Sequence, residues 1–327
     1  ACSSEIEDGT TDIDSWPMPY IEVEGRYTYQ HPCAMFNEAD FTRVKTMLED
    51  GTAPQAVKDE FETLKNSTYT PTTYVASPTE WIVRGDPTGT GVDKENYPNA
   101  MRDASAAYQM ALLWKLTGNV DYANASIKVM NDWADKGKGI NSNAANQTLA
   151  AGVKCYTFGN AAEIMQTYNN WTDKDKSDFK QWMLDVFAKK NLDFLEKHGE
   201  QCGDHYWSNW DLVSLSSYLA IGILTEKDDM VNYVVNYFYN GVGNGYIGKV
   251  IRGTFTDPLG SGEGIAQNQE SGRDQGHAMM TVAVAANLCQ MAYTFYLGNP
   301  SVPQLDFFAA NDNAIMKMGE YTALFNL

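Results

Sequence analysis

Residues 268–277 read Asn-Gln-Glu-Ser-Gly-Arg-Asp-Gln-Gly-His, and an apolar run follows as far as Gly298. A carboxylate (Glu270), a guanidinium (Arg273) and an imidazole (His277) stand at i, i+3 and i+7, so on a helix they share one face. That set of groups can do chemistry. A guanidinium holds an anion, an imidazole with an ordinary pKa near 6.5 moves a proton around neutral pH, and a carboxylate orients either of them. Gly272 and Gly276, four apart, would leave a smooth strip for close packing. A surface ion pair worth about 0–1 kcal/mol is the plainer reading. The apolar sequel favours burial, and buried charge needs a partner.

A second group lies in Gly-Asp-His-Tyr-Trp-Ser-Asn-Trp-Asp-Leu, residues 203–212. His205 and Asn209 are one helical turn apart at the head of another apolar stretch, with Tyr206 and Trp207 between them. The plainer reading is a helix capped by Asp204 with two core tryptophans, Trp207 and Trp210. The chain has four histidines, and two of them stand at the heads of core helices. A third group is Asn146 and Gln147 in Asn-Ser-Asn-Ala-Ala-Asn-Gln, where capping explains part of the pattern. Arg84, with Trp81 and Tyr97, sits in a Thr-, Pro- and Gly-rich segment, 68–100, long enough to serve as a lid over a cleft. Tyr246 lies in the Gly-rich segment 240–264.

These residues need elements to hold them, and the elements are helical. Residues 37–51 carry an Asn cap, early acids and a terminal Gly. Apolar periodicity then gives helices paired through short loops: 101–119 with 120–137, 148–168 with 172–199, 210–225 with 226–241, and 273–298 with 311–325. Short loops make the partners antiparallel. Leu116-Thr117 and Leu224-Thr225 each open a similar turn, acid and apolar helix, a faint repeat that suggests a solenoid or a closed toroid. Strand signals are weak, so the expected fold is all-α. Residues 1–36 lack a sustained period and read as an extended arm ahead of a 37–327 helical domain.

Composition narrows the partners. The 327 residues carry a formal charge of −18, which disfavours nucleic acid. It leaves room for an anionic small substrate held in a local cationic pocket. No stretch reads as a membrane span. Eight Trp and nineteen Tyr suit a core, and also a cleft where flat rings stack on sugars. The five cysteines show no zinc spacing, so neither metal nor cofactor is expected. The opening Ala-Cys-Ser-Ser-Glu resembles the mature start of a bacterial lipoprotein, with a lipid anchor at Cys2. That implies an exported protein, periplasmic or anchored in the outer membrane of a Gram-negative bacterium.

Taken together, HPCAMF with NEADFTRVKTMLEDGTAP, then YQMALLWKLTGNVDYANASIKVMNDWA, NWDL, NQESGRDQGH and FAANDNAIMKMGEYTALFNL resemble the alginate lyases of the helical-toroid type over about residues 31–327. The resemblance implies an incomplete or complete α/α toroid and cleavage of a uronic-acid polymer by β-elimination. It implies an Asn, a His, an Arg and a Tyr in the site. Asn209 and Arg273 match the Asn and the Arg. Where the Tyr would follow the Arg, this chain has His277, and Tyr206 or Tyr246 could supply a phenol from another loop.

β-Elimination has physical demands. The C5 proton of a uronate is not acidic while the carboxylate beside it is fully charged, so Asn209 and Arg273 would stabilise the enolate-like state. His277 or His205 would move the proton. Gln147, Asn146, Tyr206, Trp207, Glu270, Tyr246 and Arg84 would bind the anionic polysaccharide. Two other classes stay open. One is a glycoside hydrolase using two carboxylates among Asp204, Asp211, Glu263 and Glu270, and the other a sugar-binding lipoprotein without chemistry.

Overall fold

The computed structural model describes residues 22–85, 94–142, 144–153, 155–262 and 264–325. Cys2, Glu263 and the 86–93 part of the lid candidate lie outside them. The helices are α1 (Glu38–Glu49), α2 (Gln55–Lys65), α3 (Tyr97–Thr117), α4 (Val120–Lys136), α5 (Ala144–Gly152), α6 (Cys155–Met165), α7 (Asp173–Met183), α8 (Lys189–Lys197), α9 (Ser208–Leu224), α10 (Asp228–Asn240), α11 (Ile247–Val250), α12 (Gln275–Gly298) and α13 (Ala310–Leu324). Local chemistry fixes their starts. Asn37 and Asp40 form a reciprocal capping box on α1, while Asn119, Thr172 and Asp274 cap α4, α7 and α12. Gly118 ends α3 at φ 73°, the left-handed conformation that glycine adopts without strain.

Side-chain pairings give the direction of each helix. Between α3 and α4, Ser126 bonds the Ala107 carbonyl at 2.8 Å and Trp133 bonds Asp103 at 2.7 Å, so the two run antiparallel. Tyr237 of α10 donates to Asp211 of α9 at 3.2 Å while Met230 lies beside Gly222, again antiparallel. The inner helices behave differently. Gly152 and Gly159 rest against Val213 and Ala220 in the same order. Asn287 reaches Tyr156 at 3.5 Å and Asn160 reaches Met291 at 3.2 Å, also in the same order. Thus α5–α6, α9 and α12 run parallel inside, and their partners return outside, as in an α/α toroid. Helix α9 is buried from Asp211 to Leu224, because neighbours cover every side of it.

Several expectations need correction. The 148–168 helix is two, α5 and α6. The 172–199 helix is α7 and α8 joined by a π turn at Leu184–Ala188. The Gly-rich segment contains α11 and one strand of a hairpin, β3 (Ile251–Thr256) with β4 (Gly264–Asn268), where antiparallel pairing supplies the hydrogen bonds. Numbering strands in chain order, β1 (Trp81–Ile82) and β2 (Gly139–Ile140) form a short parallel pair ahead of it. Helix α12 is long and apolar enough to cross a bilayer by length and composition. Here it is a core helix that buries Val284, Leu288, Met291 and Phe295.

The chain ahead of α1 lies along the outer layer, held by asparagines that pair with its backbone. Asn236 bonds both polar groups of Val23, Asn232 both of Gly25, and Asn299 both of Thr28, at 2.7–3.1 Å. Side chains thereby serve the arm in place of a partner strand.

Candidate active site

Parallel inner helices put their N-terminal ends on one side of the fold, its mouth, where the 207–209 and 273–277 stretches meet. The chain from β4 to α12 crosses the head of α9. Gln269 Oε1 accepts the Ser208 N–H at 2.7 Å, capping a helix whose own N-cap, Trp207, has no side chain suited to the task. Helix α12 begins at Gln275, so Glu270 and Arg273 sit in the preceding turn, closed by the Arg273 N–H on the Glu270 carbonyl at 3.0 Å. Their expected placement on one helical face with His277 is corrected accordingly. Gly272 has open space around it and Gly276 meets only Asp274, so the expected packing strip is not formed.

Arg273 is held on two sides. Its Nη1 donates to Glu270 Oε2 at 3.1 Å, and its guanidinium lies 5.8 Å from the Trp207 ring. Trp207 is 44% exposed, and the Arg273 side chain keeps 38% of its surface in solvent, against 0% for Glu270. The cation is therefore fixed at its root and presented to the mouth. Burial pushes the Glu270 carboxyl above its usual range. Arg273, His277 and the Asn209 backbone N–H pull it back only in part. Glu270 Oε1 has no hydrogen-bond partner among the described residues.

His277 is oriented by Asp274, which accepts the His277 backbone N–H at 2.9 Å through one oxygen and meets Nδ1 at 2.6 Å through the other. The backbone N–H of His277, then its side chain, hold the exposed Asp274 carboxyl below its usual range. The ring keeps 40% of its side-chain surface in solvent, and its Nε2 makes no hydrogen bond among the described residues. Sequence reasoning missed Asp274 as the orienting partner, although an N-cap Asp three residues before a His was legible. It also missed the capping role of Gln269.

Asn209 has a different place from the one expected. It is 4% exposed, its Oδ1 accepts from Thr281 at 2.8 Å, and its Nδ2 donates to the His277 carbonyl at 3.3 Å. The amide ties α9 to α12 and faces away from solvent, which suits a positioning role better than a grip on substrate. The tie brings the 205–209 and 273–277 stretches together. His205 is exposed, with its ring against Tyr206 at 4.8 Å. Tyr206 packs in turn on Phe194 and Trp210.

Tyr246 is half-buried in a loop pinned to the same region. Gly245 N–H donates to Asp211 at 2.6 Å, and Asn244 donates to the carbonyls of Asp204 and Tyr206. Asp211 is itself buried against His198 at 2.9 Å and Tyr237. As a hydrolase carboxylate it is corrected: it is a scaffold anion with its partners already in place. Glu270, buried and paired, is no better placed for that role. Asp204 accepts from Asn244 through its main-chain carbonyl at 3.1 Å, and Glu263 lies outside the described residues.

Arg84, Asn146 and Gln147 form a separate group. Arg84 Nη1 bonds Asn146 Oδ1 at 2.5 Å, its backbone N–H bonds Ser142, and its guanidinium lies 5.3 Å from the Tyr97 ring. Gln147 bonds the Ser142 carbonyl. Tyr97 opens α3, and Asn146 lies in the first turn of α5, so this group belongs to the same end of the inner helices. No direct contact joins it to Arg273 among the described residues.

A family model described as Alginate lyase matches residues 17–249. No curated protein matches the chain. Among solved structures, alginate lyase A1-III from Sphingomonas species A1 aligns with a TM-score of 0.59 at 15% identity, covering 91% of this chain and 82% of that one. An alginate lyase from Bacteroides ovatus aligns with a TM-score of 0.57 at 13% identity, covering 89% and 83%. A tyrosine-to-phenylalanine variant of A1-III complexed with tetrasaccharide aligns with a TM-score of 0.58 at 15% identity, covering 90% and 80%.

Proposed function

We propose that this chain, which belongs to the alginate lyase family, breaks a uronic-acid polymer by β-elimination at the mouth built by Arg273, His277 and His205. The observation that carries the reading is the presentation of Arg273, fixed by buried Glu270 and open to solvent beside Trp207. A cation held in that way can stabilise a uronate carboxylate as it gains enolate character, without reorganising during the reaction.

His277 takes the C5 proton through Nε2, while Asp274 holds the ring. Electrons from the C5–H bond form the C4–C5 double bond, and the C4–O bond breaks. The leaving oxygen takes a proton, for which exposed His205 is the candidate donor and Tyr246 the alternative. Trp207, 44% exposed beside Arg273, offers a flat face to a sugar ring. Asn209 and Glu270 act on the chemistry by positioning α12 and Arg273. Arg84, Asn146 and Gln147 are assigned to substrate residues further along the polymer. The N-terminal ends of α5, α9 and α12 face the same mouth, and their partial positive charge suits a polyanion.

Export fits this substrate, since a uronan is an extracellular polymer. Cys202 is disulfide-bonded, which also favours an oxidising compartment. The lipid anchor at Cys2 remains a proposal. The intact mass of the mature protein tests it, because acylation of Cys2 adds the mass of its lipid.

The test is incubation with a panel of mannuronate, guluronate and glucuronate polymers, following ultraviolet absorbance and new reducing ends together. Elimination raises both, because each cut creates a double bond conjugated to a carboxylate. Reducing ends without absorbance would mean hydrolysis and would contradict the reading.

A further inference from the structure

The HPC sequence at residues 31–33 takes no part in the mouth. His31, Cys33 and Glu163 nevertheless converge at the opposite end of the inner layer, where the arm meets the last turn of α6. Each offers one ligand atom, and the three atoms lie within 4.8 Å of one another. His31 Nδ1 is 2.7 Å from Glu163 Oε1 and 3.9 Å from Cys33 Sγ. Cys33 and Glu163 are buried, and the His31 side chain is 14% exposed.

We propose that His31, Cys33 and Glu163 form a binding site for a divalent transition metal of the zinc class, with Glu226 as the outer carboxylate that orients His31. Imidazole, thiolate and carboxylate are the donors zinc prefers. The second partner of the histidine makes the set specific. Its Nε2 meets Glu226 Oε1 at 3.1 Å, the carboxylate–histidine arrangement that fixes the tautomer and turns the other nitrogen to a metal. The Glu163 carboxylate is also held in place, since Oε2 accepts the Cys33 backbone N–H at 2.9 Å.

Two of the three edges require small movements, and the third, from Cys33 Sγ to the Glu163 carboxylate, lies within 4.8 Å and would close by up to about 1.2 Å. With zinc–nitrogen, zinc–oxygen and zinc–sulfur bonds of their usual lengths, tetrahedral ligand edges come to roughly 3.6 Å for N···S and roughly 3.3 Å for N···O. The thiol would close on the imidazole by a few tenths of an ångström. The imidazole and carboxylate, 2.7 Å apart, would part by about half an ångström to admit the metal. Water would complete the coordination on the exposed side of His31. Bound metal would fasten the arm to α6, a structural role separate from the cleavage chemistry.

Chelator-treated protein, freed of any histidine tag, is titrated with Co2+ alone and then with Zn2+. The proposal predicts one equivalent of Co2+ with a thiolate-to-cobalt charge-transfer band, displaced by Zn2+ with a rise in Tm. Cys33→Ser loses the band. Glu226→Ala, at a half-exposed position where folding is not at risk, keeps it with affinity weakened about 10- to 100-fold. No charge-transfer band in the wild-type protein at saturating Co2+ would overturn the proposal. So would a band that survives Cys33→Ser, since Cys155 or Cys289 would then be its source. Neither readout uses cleavage activity, so the result is independent of the lyase assignment.

Discussion

At the residue scale, Arg273 and Glu270 are one unit with two functions. Removing the guanidinium takes away a charge aimed at the mouth and leaves a buried carboxylate without its cation. Arg273→Ala is therefore expected to lower turnover by about 10²–10³, the range seen when one preorganised stabilising donor is lost. It should also lower stability. The loss should fall short of the roughly 3–5 kcal/mol of a fully buried pair, because Arg273 is partly in water and Glu270 can take up a proton. Turnover and Tm measured on the same variant check both parts. The raised carboxyl of Glu270 has a pH signature of its own. Its folded pKa lies above its unfolded value near 4.3, so the folded chain retains the proton to higher pH. Stability is full below the unfolded value and declines as pH rises through the folded one. Glu270→Gln removes that decline. Its Tm should gain on the wild type as pH is raised from about 4 to 7, and a constant difference across that range would contradict the assignment.

At the element scale, α9 and α12 are joined at their heads by Asn209, Thr281 and the capping Gln269. Gln269→Ala should cost about 0.5–2 kcal/mol, as for other lost helix caps. It should lower kcat more than it raises KM if α9 carries His205 and Trp207 into place, and thermal unfolding together with steady-state kinetics would show this. Much of this architecture was legible. The paired helices 120–136 and 228–240 each carry an apolar face at helical spacing. The strongest site residues could be named because charged groups rarely stand at the head of an apolar run. Other features left no local signal. Asp274 was the one local sign that the helix waits until Gln275; the turn before it left none, because Gln269 there serves the Ser208 N–H of α9, 61 positions away. The β3–β4 hairpin is hidden in glycine-rich sequence, where neither strand carries a clean alternation of apolar and polar residues. Asn209 resembled a ligand because its partners, the His277 carbonyl and Thr281, lie 68 and 72 positions away.

At the scale of the whole molecule, an acidic protein of net charge −18 meets a polymer of the same sign. Long-range repulsion opposes encounter, while the local field at the mouth favours binding. Added salt screens exposed charges beyond about 8–10 Å but reaches partly buried ones much less. Raising ionic strength from about 10 to 150 mM should therefore increase kcat/KM on long uronans. The increase should shrink on short oligomers, which carry fewer charges past the acidic surface. A monotonic fall with salt on both substrates would mean that surface repulsion does not control encounter.

The most direct test is the rate at which conjugated double bonds form on a uronan with His277→Ala beside the wild type. His277 is half-exposed at the head of α12, so its loss should leave Tm nearly unchanged. The account predicts double-bond formation by the wild type and a rate about 10²–10⁴ lower in the variant, the usual weight of a positioned proton carrier. A variant that forms double bonds at the wild-type rate would contradict it, because the proton would then be moved from elsewhere in the mouth.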